Sequence, residues 1–126
     1  MMRTLLLLAA GVSAAAAPSA SAPQTHAELD VPRGRAQTVI VQSRDFAAGA
    51  ESGWHIHPGT EVAYITSGQL EVRVKGKVTV LNAGDSVTIP RGLAHNGVNR
   101  GPQTAKVVIT LVVDKGDALR RSVSAP

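Results

Sequence analysis

Between residues 38 and 113 the chain runs as short apolar stretches separated by glycine-containing turns. No segment repeats apolar residues at helical spacing over a helical length, so the pattern predicts strands throughout. Residues 69–75 (QLEVRVK) show it most clearly, with Leu70, Val72 and Val74 on one face and Glu71, Arg73 and Lys75 on the other. One face is core and the other is wet. Further strands are expected at 38–42 (TVIVQ), 53–57, 61–66, 78–81 and 86–89, with another carrying His95. The β-branched run 106–113 (KVVITLVV) is expected to be a central strand. Turns follow from Pro58-Gly59, Ser67-Gly68, Lys75-Gly76, 82–85 and Pro90-Arg91-Gly92, because proline presets φ and glycine accepts positive φ. Many short, evenly spaced strands predict an all-β domain closed as a barrel or sandwich, which removes exposed sheet edges. After Asp114 the sequence turns polar, and a frayed tail over 114–126 is expected.

The N-terminus departs from this pattern. Arg3 precedes an apolar stretch, Leu5 to Leu8 and onward, that runs into small residues, as in a secretory signal peptide. The apolar run 4–17 is shorter than the ~20 residues a helix needs to span a bilayer, so no stable membrane anchor is expected. Cleavage after Ala16 and cleavage after Ala22 both fit the small-residue rule. The chain then divides into a leader (1–22), an arm (23–37), a barrel (38–113) and the tail, and a periplasmic or secreted location is expected. His26, in the arm, is assigned no chemistry.

Composition narrows the chemistry. The 126 residues include no cysteine, which excludes disulfides, thiolate nucleophiles and cysteine-ligated metals. The formal net charge of +4 raises the possibility of nucleic-acid binding. The basic residues are scattered, however, apart from Arg120 and Arg121, and only Phe46, Trp54 and Tyr64 could stack on bases. No nucleic-acid partner is expected.

His55 and His57 are two apart on an expected strand, so their imidazoles emerge on one face. An isolated pair of this kind is more simply two surface or hydrogen-bonded histidines. Here Glu61 follows beyond the Pro58-Gly59 turn, and His95 lies behind a second Pro-x-Gly turn. Three imidazoles and one carboxylate make a complete ligand set for a metal ion.

The spacing Gly49, His55, His57, Glu61, Gly68 resembles the first cupin motif, G-x5-H-x-H-x3-E-x6-G. Gly84, Pro90, Gly92, His95 and Asn99 match the second, G-x5-P-x-G-x2-H-x3-N. Every fixed position is filled, and the resemblance covers most of the chain beyond the leader. It implies a double-stranded β-helix with a metal held inside by His55, His57, Glu61 and His95. It also implies that Glu61 could act as a catalytic base when its bond to the metal loosens, and that barrels pair as homodimers through edge strands or the arm.

The other residues have plainer readings. Asn99 either orients the His95 region or caps a turn. Trp54 and Ile56 should face away from the histidines, and Tyr64 has opposite parity to Glu61. Gly97 shares parity with His95 and would leave open space for a small ligand. Arg44, Glu51, Thr88 and Arg91 are loose candidates for further acid–base or binding roles.

An octahedral ion with four protein ligands keeps two positions for water, dioxygen or substrate. That favours one divalent transition metal ion, iron, manganese, nickel or copper over zinc, whose four-ligand sites are closed. The leading expectation is a metal-dependent, dioxygenase-like enzyme acting on a small organic substrate. A non-catalytic metal or small-ligand binding protein and a cupin isomerase or epimerase are the alternatives. An isomerase would need a further acid–base pair in the pocket.

Overall fold

The computed structural model describes Ala22, His26, Ala27 and residues 34–126. The expected leader and most of the arm lie outside these residues. Among the described residues nine strands account for the regular structure: β1 (Gln37–Phe46), β2 (His55–Ile56), β3 (Gly59–Ser67), β4 (Gln69–Val74), β5 (Lys77–Asn82), β6 (Ser86–Ile89), β7 (His95–Val98), β8 (Ala105–Asp114) and β9 (Arg121–Ser122). They form two antiparallel sheets, ordered β1-β8-β3-β6 and β5-β4-β7-β2-β9. The domain is all-β, as the alternation predicts. No helix among the described residues is long and apolar enough to cross a membrane.

The two-residue period decides what lies between the sheets. Along β3, Gly59, Glu61, Ala63 and Ile65 are buried while Thr60, Val62 and Tyr64 are only half-buried. Leu70 and Val72 of β4 and Val107 and Leu111 of β8 face the same interior. Phe46, Ala63, Ile65, Leu70, Val72, Leu81, Ile89, Ala105 and Val107 form one cluster drawn from both sheets. Fully buried side chains such as Ile65 and Val107 each contribute about 1.5–3 kcal/mol of transfer free energy. Glu61 continues the buried face of β3 beyond Ala63, so the alternation that builds the core also places a carboxylate inside the barrel.

Three features differ from the sequence expectation. Strand β1 runs on from residue 42 to Phe46, because β8 pairs with it along its whole length, from Gln37 opposite Asp114 to Phe46 opposite Ala105. Gly59 is the first residue of β3 rather than a turn residue, and a Cβ there would collide with the carbonyl oxygen of Val112. The chain beyond Asp114 does not simply fray. It returns to the second sheet, where β9 pairs with β2, Ser122 opposite His55 and Arg121 opposite Ile56. Local polarity gives no sign of this, because the pairing partner lies more than 60 residues away.

Candidate metal centre

Strand pairing assembles the site. His55 of β2 sits directly opposite His95 of β7, their ring centroids 4.2 Å apart. His57 follows β2 with its ring centroid 4.8 Å from that of His55, and Glu61 rises from β3 in the opposing sheet. The four candidate ligand atoms all lie within 4.8 Å of one another, and all four residues are buried. Glu61 Oε2 stands 2.9 Å from His57 Nε2 and 3.3 Å from His95 Nε2. These are the four residues that the motif spacing predicts, and the fold brings all of them together.

The outer nitrogens fix the tautomers. His55 Nδ1 donates to the carbonyl of Gly53 at 2.7 Å, His57 Nδ1 to that of Leu119 at 2.6 Å, and His95 Nδ1 to that of Leu93 at 2.9 Å. A carbonyl oxygen can only accept, so each Nδ1 carries a proton, and each inward Nε2 offers its lone pair when the ring is neutral or donates to Glu61 when it is protonated. Three such lone pairs and a carboxylate converge with no donor among them other than an added proton. That arrangement calls for a cation, and a transition metal ion suits imidazole nitrogen.

The titration behaviour follows from the same contacts. Burial pushes His55 down to about 4, against the hydrogen bond to Gly53. Burial also works against the charged form of His57, but hydrogen bonds to Glu61 and Leu119 outweigh it and raise this group. For Glu61, burial favours the neutral acid, yet hydrogen bonds from His57 and His95 hold the carboxyl at about 2. In these contacts a proton on His57 Nε2 balances the Glu61 carboxylate, which is the place a bound cation would take.

A cavity of about 100 Å³ opens on the four residues. Its deeper wall is apolar, with Phe46, Leu70 and Val72 among its members, and Gln42, Arg44, Ser52 and Arg120 supply its other polar groups. Gly97 faces this cavity, as its parity predicts. A Cβ there would lie 3.5 Å from Leu70 and Phe46, an ordinary contact, so the glycine keeps a small volume clear rather than opening a wide one. Trp54 and Tyr64 do not line the cavity, in keeping with their parity. Tyr64 instead packs against His26 of the arm, ring centroids 4.6 Å apart, and Ser86 Oγ donates to the His26 carbonyl.

Of the looser candidates, only Arg44 reaches the cavity. Arg91 is a structural clamp, donating to both oxygens of Asp114 at 2.6 and 2.8 Å and to the Pro58 carbonyl. Glu51 accepts from Asn96, and Thr88 is exposed on β6. Asn99 takes the turn-capping role: its Nδ2 donates to the carbonyls of Phe46 and Gln103, and its Oδ1 accepts from the Gly101 amide. Leu119 and Arg120 were not singled out by the sequence reading. Leu119 acts through its carbonyl, which leaves no side-chain signal, and Arg120 looked like half of a solvated basic pair.

A two-sheet β-helix with this buried group defines a class of small-molecule and metal barrels. The cupin domain family model matches residues 43–114, and the chain belongs to the cupin superfamily. With three histidines and a glutamate converging inside the barrel, it is a cupin carrying a buried group that could hold a metal ion. Among curated proteins it is 35% identical over 95 residues to oxalate oxidase GF-2.8 of Triticum aestivum, a match covering 66% of this chain and 42% of that protein. Germin-like protein 3-5 of Oryza sativa is 35% identical over the same shares. The chain thus spans less than half the length of these relatives. Among solved structures, a double-stranded β-helix protein of Klebsiella pneumoniae superposes with a TM-score of 0.60 at 26% identity, covering 73% of this chain and 80% of that one. Oxalate oxidase in complex with the substrate analogue glycolate superposes with a TM-score of 0.59 at 28% identity, covering 74% and 57%.

Proposed function

We propose that the protein is a metal-dependent oxidoreductase, oxidase- or dioxygenase-like, acting on a small organic substrate. His55, His57, Glu61 and His95 would hold one divalent transition metal ion. The observation that carries the reading is the convergence of three inward Nε2 lone pairs and one carboxylate at the inner end of a small, largely apolar cavity. A bound transition metal supplies Lewis acidity and electron exchange with dioxygen. The likeness to oxalate oxidases supports oxidation chemistry and puts small organic acids first among substrates to test.

The chain's own residues set the conditions for that chemistry. The apolar wall limits the water that can enter with the substrate, and the cavity volume restricts the substrate to a few heavy atoms. Among the described residues Glu61 is the only carboxylate lining the cavity, which makes it the candidate base. As a ligand of the metal it would be a weak base, so proton uptake would require its bond to the ion to loosen. Among the described residues the cavity contains no second acid–base pair outside the four. That favours oxidation at the metal, or ligand binding without turnover, over isomerase chemistry. Export is part of the proposal, on the strength of the leader-like residues 1–22.

The test is elemental analysis of protein purified without chelators, alongside His95→Ala, followed by oxygen uptake with oxalate, glycolate and small enols and phenols. Near-stoichiometric iron, manganese, nickel or copper that is lost in the variant, together with oxygen uptake, is the expected result. A metal held without uptake on any of these substrates would favour the binding-protein reading.

A further inference from the structure

Two guanidinium groups line the same cavity as the four buried residues, and they come from opposite ends of the barrel sequence. Arg44 shares the inward face of β1 with Gln42 and Phe46, and its guanidinium carbon sits 4.8 Å from the centre of the Phe46 ring. Arg120 is brought in by the C-terminal segment that ends in β9, and it donates to the backbone carbonyls of Ser52 and Gly53. Among the described residues neither group is paired with a carboxylate. Arg35 and Arg91, by contrast, pair with Asp114, and Arg73 pairs with Glu71. The cavity's single carboxylate, Glu61, is engaged by His57 and His95.

Charge and shape together identify what would complete such an entrance. Two guanidinium groups on a cavity with one carboxylate among its described lining residues tilt its potential towards positive, and a bound divalent cation would raise it further. A guanidinium offers a planar set of donors matched to carboxylate oxygens. The stacking of Arg44 on Phe46 holds the plane of one such donor set near the wall without using its N–H groups.

We infer that Arg44 and Arg120 form a carboxylate-recognition pair at the cavity mouth and that the substrate or ligand class is a small organic mono- or dicarboxylate. This rests on the reading that the cavity takes a small organic acid, and it adds the residues of this chain that would select the charge of that molecule. Both arginines are positioning and specificity residues, since neither supplies a group to the metal set. The C-terminal segment thereby becomes part of the substrate site.

The experiment is calorimetric titration of the metal-loaded full-length protein with oxalate and with its neutral diamide, oxamide, in parallel. The variants are R44Q, R120Q and R120K, each checked for retained metal. Each glutamine variant is expected to weaken oxalate binding by about tenfold or more, in line with loss of one charge-assisted contact, and to leave oxamide binding unchanged. R120K, which keeps the charge but not the planar fork, should fall between R120Q and the parent. Oxalate binding that is absent in the parent, or equally tight in R44Q and R120Q with metal retained, would overturn the inference. R44Q guards against misfolding as an explanation, because among the described residues the Arg44 side chain makes no hydrogen bond whereas that of Arg120 donates to two backbone carbonyls. Arginine-dependent binding without oxygen uptake would remove the oxidase reading and leave the carboxylate site standing, and uptake with arginine-independent binding would do the reverse.

Discussion

His57 donates its Nδ1 proton to the carbonyl oxygen of Leu119 at 2.6 Å, joining a candidate metal ligand to a residue 62 positions further along the chain. The Gly53 and Leu93 carbonyls that orient His55 and His95 lie only two residues from the rings they hold. One imidazole of the three is thus oriented by tertiary structure alone, and the segment that orients it also carries Arg120.

Ending the chain after Ala118 would remove that carbonyl while leaving all four ligand side chains in place. Metal affinity is expected to fall by about 10- to 100-fold, the usual effect of losing a group that orients a ligand. Competition with a chromophoric chelator measures it, and equal affinity in the shortened chain would show that the C-terminal segment does not hold His57.

Gly59 lies two residues before Glu61, at the start of β3, where it pairs with Val113 of β8. A Cβ at this position would overlap the Val112 carbonyl and stand 2.5 Å from Val113 Cα, so the neighbouring backbone would have to move. Gly59→Ala should destabilise the fold by about 3 kcal/mol, at the upper end of overpacking costs, and lower metal occupancy as Glu61 shifts. Urea unfolding checks the first effect and elemental analysis the second. A stability matching the parent would mean that the two strands can part there without cost.

Asp114 ties the end of β8 to Arg91 and Arg35. The hydrogen bond from Arg91, helped by Arg35, holds its carboxyl at about 2, below the ordinary value of 3.8. A carboxyl depressed on folding stabilises the native state above its unfolded pKa, and the effect is lost as pH falls through the folded value. Stability should therefore decline between about pH 4 and pH 2, and Asp114→Asn should show a shallower decline over that window. Urea midpoints measured across it decide the matter; parallel curves would count against the clamp.

Strand β1 is the edge of its sheet and carries Val39 and Val41 at 65% and 67% exposure. An edge of this kind invites pairing with a second copy, which agrees with the expected homodimer. Light scattering should give twice the chain mass, and V39K together with V41K should give the monomer. A monomeric parent protein would remove the expectation.

The sequence by itself determined the strand periodicity, the all-β class and the identity of the four converging residues. It could do so because strand alternation and motif spacing are local: His55 and His57 share a face by parity, and the clear alternation over 69–75 needs only its own residues. The same locality misplaced Arg91, which looked available for chemistry until Asp114 closed on it, and left Arg120 among the surface charges. Only the tertiary structure decided that Leu119 orients His57, that β9 completes the second sheet, and that Arg44 and Arg120 meet at one cavity. These contacts join backbone groups and side chains distant in the chain, and nothing in the local composition of either partner records where the other will be.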